Sequence, residues 1–354
     1  MSILDDGSRI AAVDRSGMLS FIESAADHWR DGVALARAVD LSGVPDRVGL
    51  TGVVVCGMGG SGIAGDVAAA VAATKGSLPV VVAKGFVLPA FADTHTLVVL
   101  VSYSGGTVET VACFDQAHAL GAPMIAVATG GALAELARAH AIPLATPPAG
   151  MQPRAAFPYL AAVALVALER LGVLPDLTAE LVEIDEVLRE QTASCGREAV
   201  AASNPAKKIA STLEGVLPVV WGQEGVLSVA AMRWKTQLNE NAKVPAYAVA
   251  LPELGHNEVV GIGPGSPPAD RLAFVALRSP TEDPRITSRF SATLGLARAA
   301  GANVIEAPAR GISPLAQLAS SAQLGDFTST YLAVLRGVDP TPIEAITRLK
   351  AEPS

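Results

Sequence analysis

At 354 residues the sequence is long enough for two domains of ordinary size, each with its own core. Half of its residues are hydrophobic but only 4% are aromatic, so that core is built of Ala, Val and Leu. A formal net charge of −8 with 17% charged residues excludes general nucleic-acid binding, which needs a basic face; a local phosphate site remains open, because backbone dipoles suffice for one.

Residues 1–50 read as a helical segment. Within it, 22–39 sets Trp29, Val33, Leu35 and Ala36 among charges, an amphipathic pattern expected to pack on the domain that follows. The first residues are acidic and are not expected to act as a signal peptide. Apolar, β-branched strands are predicted at 52–55, 78–83, 97–101 and 124–127. Helices are predicted between them, through 73, over 108–120 and over 132–141. Such alternation predicts a parallel sheet covered on both faces. A Pro/Gly-rich pause at 147–153 precedes a long helix reaching 171, and an acidic amphipathic helix over 177–192 links to the second half.

The second half repeats the alternation. Strands are expected at 217–221, 246–250, 272–277 and 304–306, and helices over 226–238, 289–300 and 314–335, with a short last helix ending near Lys350. The expected fold class is therefore α/β, in two subdomains that are each a parallel sheet flanked by helices. The expected division is a helical segment over 1–50 packing on the first subdomain, that subdomain over 51–194, and the second over 195–354. The longest apolar run, 155–168, is too short for a membrane span and contains Pro158, so no membrane partner is expected. Cys56, Cys113 and Cys195 form no C-x-x-C, and with five scattered histidines they give no metal-ligand spacing. Neither metal nor cofactor is expected, and the expected compartment is the reducing cytoplasm.

Two strand-to-helix turns carry the chemistry. After the strand at 97–101 come Ser102, Tyr103, Ser104, Gly105, Gly106 and Thr107, and then a helix. Three hydroxyls and two glycines on such a turn direct backbone N–H groups and the positive end of a helix dipole at one point, which suits an anion; a loop with ordinary Ser/Thr caps is the plain alternative. After the strand at 52–55 come Gly57, Met58, Gly59, Gly60, Ser61 and Gly62, which satisfy G-x-G-x-x-G. A dinucleotide site would need an acid at the end of the next strand, and Lys84 and Gly85 stand there instead. Ser61 instead offers a further hydroxyl facing the 102–107 loop, and two small-residue turns of this kind suit a phosphosugar.

The two turns together resemble a sugar isomerase (SIS) domain. Further along stand Pro153-Arg154-Ala155-Ala156, Asn239-Glu240-Asn241-Ala242-Lys243, Glu253-Leu254-Gly255-His256-Asn257-Glu258 and Asp339-Pro340-Thr341-Pro342. With these the chain resembles, over roughly 50–350, the bifunctional phosphoglucose/phosphomannose isomerase family. Gly106 departs from the family pattern, since many SIS loops carry Asn there; the change bears on loop flexibility more than on phosphate capture.

The resemblance implies two SIS-type subdomains and an aldose–ketose isomerase that interconverts glucose 6-phosphate or mannose 6-phosphate with fructose 6-phosphate through a metal-free cis-enediol. That chemistry needs a base on one face of the enediol, a cation near its oxygens and an acid to open the ring. Read from local sequence, Glu240 is a base candidate or a solvated acid at a helix end, and His256 is an acid/base candidate or an exposed loop residue; His28, His95, His118 and His140 read as structural. The resemblance implies the catalytic set: Glu240 as the proton-transfer base, His256 as the ring-opening group, Arg154 as the cation and Lys350 at the ring-opening end. It also implies that Gly60, Ser61, Ser102, Ser104, Thr107 and Thr341 bind substrate, Thr341 as the threonine that permits C2 epimers. It further implies a homodimer in which His256 serves the neighbouring subunit's site. Two rivals from other classes are a non-catalytic SIS phosphosugar sensor and a nucleotide-dependent oxidoreductase resting on 57–62 alone. A third reading is an isomerase of another phosphosugar.

Overall fold

The computed structural model describes residues 2–262 and 269–351, the last two by backbone alone. In chain order, helices α1 (Gly7–Val13), α2 (Met18–Glu23) and α3 (Ala25–Ala38) precede β1 (Gly52–Cys56), α4 (Gly59–Lys75), β2 (Val80–Ala83) and β3 (Thr96–Val101). Then come α5 (Val108–Leu120), β4 (Met124–Val127), α6 (Gly131–Ala139), β5 (Leu144–Ala145), α7 (Phe157–Arg170) and α8 (Thr178–Cys195). The second half runs α9 (Pro205–Thr212), β6 (Leu217–Gln223), α10 (Val226–Glu240), β7 (Tyr247–Leu251), β8 (Leu272–Arg278), α11 (Pro284–Ala299), β9 (Asn303–Pro308), α12 (Pro314–Arg336) and α13 (Glu344–Ala351). Among the described residues no helix is long and apolar enough to cross a membrane.

The fold is α/β, with two parallel sheets flanked by helices in two compact units. One unit comprises 24–186 with 313–316, and its strands lie in the order β2-β1-β3-β4-β5, all parallel. Side chains alternate across a strand. Val54, Cys56, Val98, Leu100, Met124 and Ala126 accordingly form one buried cluster with Phe114 and Ala117 of α5 and Leu133 and Ala137 of α6. On the opposite face α4 comes so close that a Cβ on Gly65 would stand 2.9 Å from a Val55 methyl. Two-sided burial explains why these strands are continuous apolar runs.

The other unit comprises residues up to Glu23, 187–312 and 317 onward, with strand order β7-β6-β8-β9, again all parallel. Trp221 of β6 packs on Phe274 of β8 at a centroid separation of 4.4 Å, in a cluster closed by Phe290 and Leu294 of α11. On α12, Gly325 lies where a Cβ would stand 2.5 Å from the Trp234 ring of α10, so that helix pair requires glycine there.

The N-terminal segment, expected as one piece against the first sheet, divides. Residues from 24 on belong with that sheet, whereas those up to Glu23 belong with the other. Polar anchors cause this division: Asp5 accepts from Ala201 N at 2.7 Å and pairs with the buried Lys207 ammonium at 3.5 Å, Glu23 pairs with Arg197 at 2.8 Å, and Ile22 O accepts from Gln323 Nε2 at 3.0 Å. The units change over at 186/187, inside α8, rather than at the expected 194/195.

Candidate active site

In the first unit, β3 delivers the hydroxyl turn. Ser102, almost fully buried, donates from Oγ to Thr107 Oγ1 at 2.8 Å, and Tyr103 N–H donates to Ser61 Oγ at 3.2 Å. The second bond joins this turn to the first turn of α4. Ser104 and Gly106 are exposed at the tip, with Gly106 N–H donating to Ser104 Oγ at 3.4 Å. Thr107 is the N-cap residue of α5 and makes no side-chain capping bond; a helix's first-turn N–H groups have no intrahelical acceptor. Neutral hydroxyls and unpaired first-turn N–H groups at a helix N-terminus are groups able to accept an anion.

Glycine is required here by close approach. A Cβ on Gly105, at φ +70°, would stand 1.7 Å from Gly130 O. On Gly60 it would stand 3.1 Å from Pro153 O and 3.2 Å from Arg154 Cα, so this residue is where the 147–154 loop reaches the α4 N-terminus. Gly106 has open space around its would-be Cβ, so an Asn there meets no steric bar. Arg154 is 3% exposed, a buried guanidinium beside the glycine turn. Gly60, Ser61, Ser102, Thr107 and Arg154 are thus linked within one unit.

Tyr103 holds them there, a role that sequence reading missed. Its hydroxyl donates to Pro148 O at 2.7 Å and accepts from Met151 N–H at 3.0 Å, which ties the loop carrying Arg154 to the hydroxyl turn. Burial pushes its phenol pKa up, so the group stays protonated and donating. A tyrosine flanked by two serines at the end of a buried strand is the signal that was available.

In the second unit Glu240 is the last residue of α10. Residues 233, 237 and 241 share one helix face. Arg233 Nη2 donates to Asp326 Oδ2 at 2.7 Å, Gln237 Nε2 to Asp326 Oδ1 at 2.9 Å, and Asn241 Nδ2 to Ser329 Oγ at 3.0 Å. This buried ladder against α12 sets the rotation of α10 at the turn that bears Glu240. At the other end of α10, a Cβ on Gly222 would stand 2.2 Å from Leu227 O, so the glycine lets the helix start hard against the end of β6. Glu240, Asn239 and Lys243 line a cavity of about 580 Å³ with Val338, Asp339 and Pro342 of the tail.

Thr341 lies between two tail prolines, its N–H donating to Asp339 Oδ1 at 2.9 Å. His256 ends a short 3-10 turn over Glu253–His256, is exposed, and is not among the residues lining the Glu240 cavity. Its loop is pinned by Glu258, which accepts from Trp221 Nε1 at 2.9 Å. Burial pushes the Glu258 carboxyl above the usual range, and the indole bond opposes this. Lys350 belongs to α13, but its side chain lies outside the described residues.

Residues 202–352 match the family described as the bacterial phospho-glucose isomerase C-terminal SIS domain. Over 298 residues, 84% of this chain and 88% of the relative, the chain is 37% identical to the bifunctional phosphoglucose/phosphomannose isomerase of Caldicellulosiruptor bescii. The enzyme of the same name from Aquifex aeolicus is 36% identical over 304 residues, 85% of this chain and 90% of its own. The chain belongs to the bifunctional phosphoglucose/phosphomannose isomerase family. It is accordingly an enzyme, and the resemblance stated from its motifs is to the family found. Among solved structures, the C-terminal domain of glucosamine-fructose-6-phosphate aminotransferase from Francisella tularensis shares the fold, with a TM-score of 0.69 at 16% identity, covering 92% of this chain and 98% of that one.

Proposed function

We propose that this enzyme interconverts glucose 6-phosphate and mannose 6-phosphate with fructose 6-phosphate through a metal-free cis-enediol, and that it works in the cytoplasm as a homodimer. The observation that carries this reading is that the chain holds both an intact hydroxyl–glycine turn in one unit and Glu240 at a cavity-lining helix end in the other, and is so similar to named isomerases. Three buried free thiols suit the reducing compartment.

In the proposed mechanism the substrate phosphate takes the hydroxyls of Ser102, Ser104 and Thr107 and the first amides of α5, while Ser61 and the Gly60 backbone hold the sugar. His256 moves the proton that opens the pyranose ring, with Lys350 at the same end. Glu240 removes the proton from C2 of the open aldose and returns it to C1 while the O2 hydroxyl proton passes to the adjacent O1, leaving a ketose. Between these steps the sugar is an enediol with negative charge on oxygen, which the Arg154 guanidinium stabilises. The planar enediol keeps no memory of the C2 configuration, so one base serves both hexoses, with Thr341 making room for either epimer. The exposure of His256 supports its service to a neighbouring subunit.

The test is a coupled assay of purified protein with EDTA present, following fructose 6-phosphate formed from each hexose phosphate separately. Turnover of both is expected. Turnover that vanishes with EDTA would overturn the metal-free mechanism; phosphosugar binding without turnover of either would replace the isomerase by a sensor or by an isomerase of another phosphosugar.

A further inference from the structure

We propose that Lys243 is a positioning residue: its ammonium clamps the C-terminal tail onto the end of the helix that carries the base. The inference rests on the isomerase reading for its catalytic consequence, though not for its structural one. The Lys243 ammonium donates to three backbone carbonyls, those of Glu240, Pro340 (3.1 Å) and Pro342 (2.7 Å). An ammonium has three N–H donors, so it is able to serve all three carbonyls at once. One acceptor belongs to the catalytic candidate itself, and the other two flank Thr341.

Three independent features aim the side chain. Lys243 takes φ +56°, the left-handed conformation that residues with a Cβ seldom adopt, and it turns the chain back directly after α10. The turn is closed by Asn239 Nδ2 donating to Val244 O at 2.8 Å. On the tail, Asp339 Oδ1 accepts from Thr341 N–H at 2.9 Å, shaping the segment between two prolines whose fixed φ keeps it stiff. The carbonyls of Pro340 and Pro342 therefore meet the ammonium with little chain entropy left to lose.

Functionally, the tail leads through Pro342 into α13, which carries Lys350, and Pro342, Ile343 and Glu344 wall the same cavity as Glu240. Losing the clamp frees that wall while leaving Glu240, with its α10–α12 ladder, in place. A misplacement on the order of 1 Å costs about 100-fold in rate.

The experiment uses the full chain and the variants Lys243→Met and Lys243→Ala, which keep the Cβ and so share the backbone strain of the parent. Hydrogen exchange is followed peptide by peptide, alongside turnover with and without added n-propylammonium, which replaces the three carbons and the nitrogen missing from the Ala variant. The clamp predicts faster exchange over 338–349 with β6 and β8 unchanged, a fall of about 100-fold in kcat with a smaller change in KM, and recovery of the Ala variant by n-propylammonium in both readouts. Unchanged tail exchange in both variants overturns the clamp, as does lost turnover that n-propylammonium fails to restore while exchange is normal, since Lys243 then acts on substrate. A parent protein that turns over neither hexose phosphate defeats the isomerase reading instead, and the exchange result still judges the clamp.

Discussion

The two sheets are all parallel and share the strand order second-first-third-fourth, to which the first adds β5, yet their helix ends are held by opposite means. In the first unit the turn after β3 is fixed by neutral groups and close backbone contact: Ser102 on Thr107, Tyr103 N–H on Ser61, and Gly105 against Gly130 O. In the second, the end of α10 is fixed by buried charge, with Asp326 accepting from both Arg233 and Gln237. An anion receptor works by presenting many weak dipoles at once, so it tolerates the loss of one but not displacement of the backbone. A base must keep one carboxylate in one place, which a rigid charged ladder achieves. The first unit should therefore fail by geometry and the second by electrostatics.

Asp326→Ala should separate the two most strongly. It removes the carboxylate that pairs with the buried Arg233 guanidinium and accepts from Gln237, and should cost about 3–5 kcal/mol of stability in denaturant titration. A loss under 1 kcal/mol would mean that the ladder is not what holds α10. Gly105→Ala forces the hydroxyl turn away from Gly130 and should cost about 1–3 kcal/mol from strain, with a KM rise that exceeds any fall in kcat. An unchanged KM would remove this turn from substrate binding. Thr107→Val keeps the shape but removes both a donor for the phosphate and the acceptor of the buried Ser102 hydroxyl, so KM should rise by at least about 10-fold, the worth of one hydrogen bond to a charged group, with kcat changing less.

The smallest effect concerns pH. Burial raises the Glu258 carboxyl in the folded state, so the folded chain holds that proton more tightly than the unfolded one. Its contribution to stability is complete below the ordinary glutamate value of 4.5 and is lost as pH rises through the folded value. Glu258→Gln keeps an acceptor for the Trp221 indole and removes the charge. The variant should melt higher than the parent at pH 7, and the gap should close towards pH 4. A gap that does not vary with pH would show that this carboxyl does not titrate between the two states.

Much of the architecture was legible because β-branched runs such as Val53–Val55 and Leu97–Val101 are buried on both faces and have no other stable form. The hydroxyl–glycine turn was legible because its residue types are the ones that a close backbone approach demands. The two-residue β5 carries no periodicity at all. The division of the N-terminal segment depends on partners far along the chain, Asp5 with Lys207 and Ile22 with Gln323, which local amphipathicity does not register. Asp326 sits in a helix that reads as apolar, and its partner Arg233 is on α10. Tyr103 and Lys243 act through main-chain carbonyls, and sequence cannot say which carbonyl will face a side chain.

The proposed division of labour between the two units is tested most directly by Glu240→Gln, with fructose 6-phosphate binding and turnover measured on the same preparation. The account predicts binding within about threefold of the parent and turnover lower by about a thousandfold or more, since only the proton acceptor is removed. Full activity in that variant would contradict it, and so would a loss of binding that matches the loss of rate.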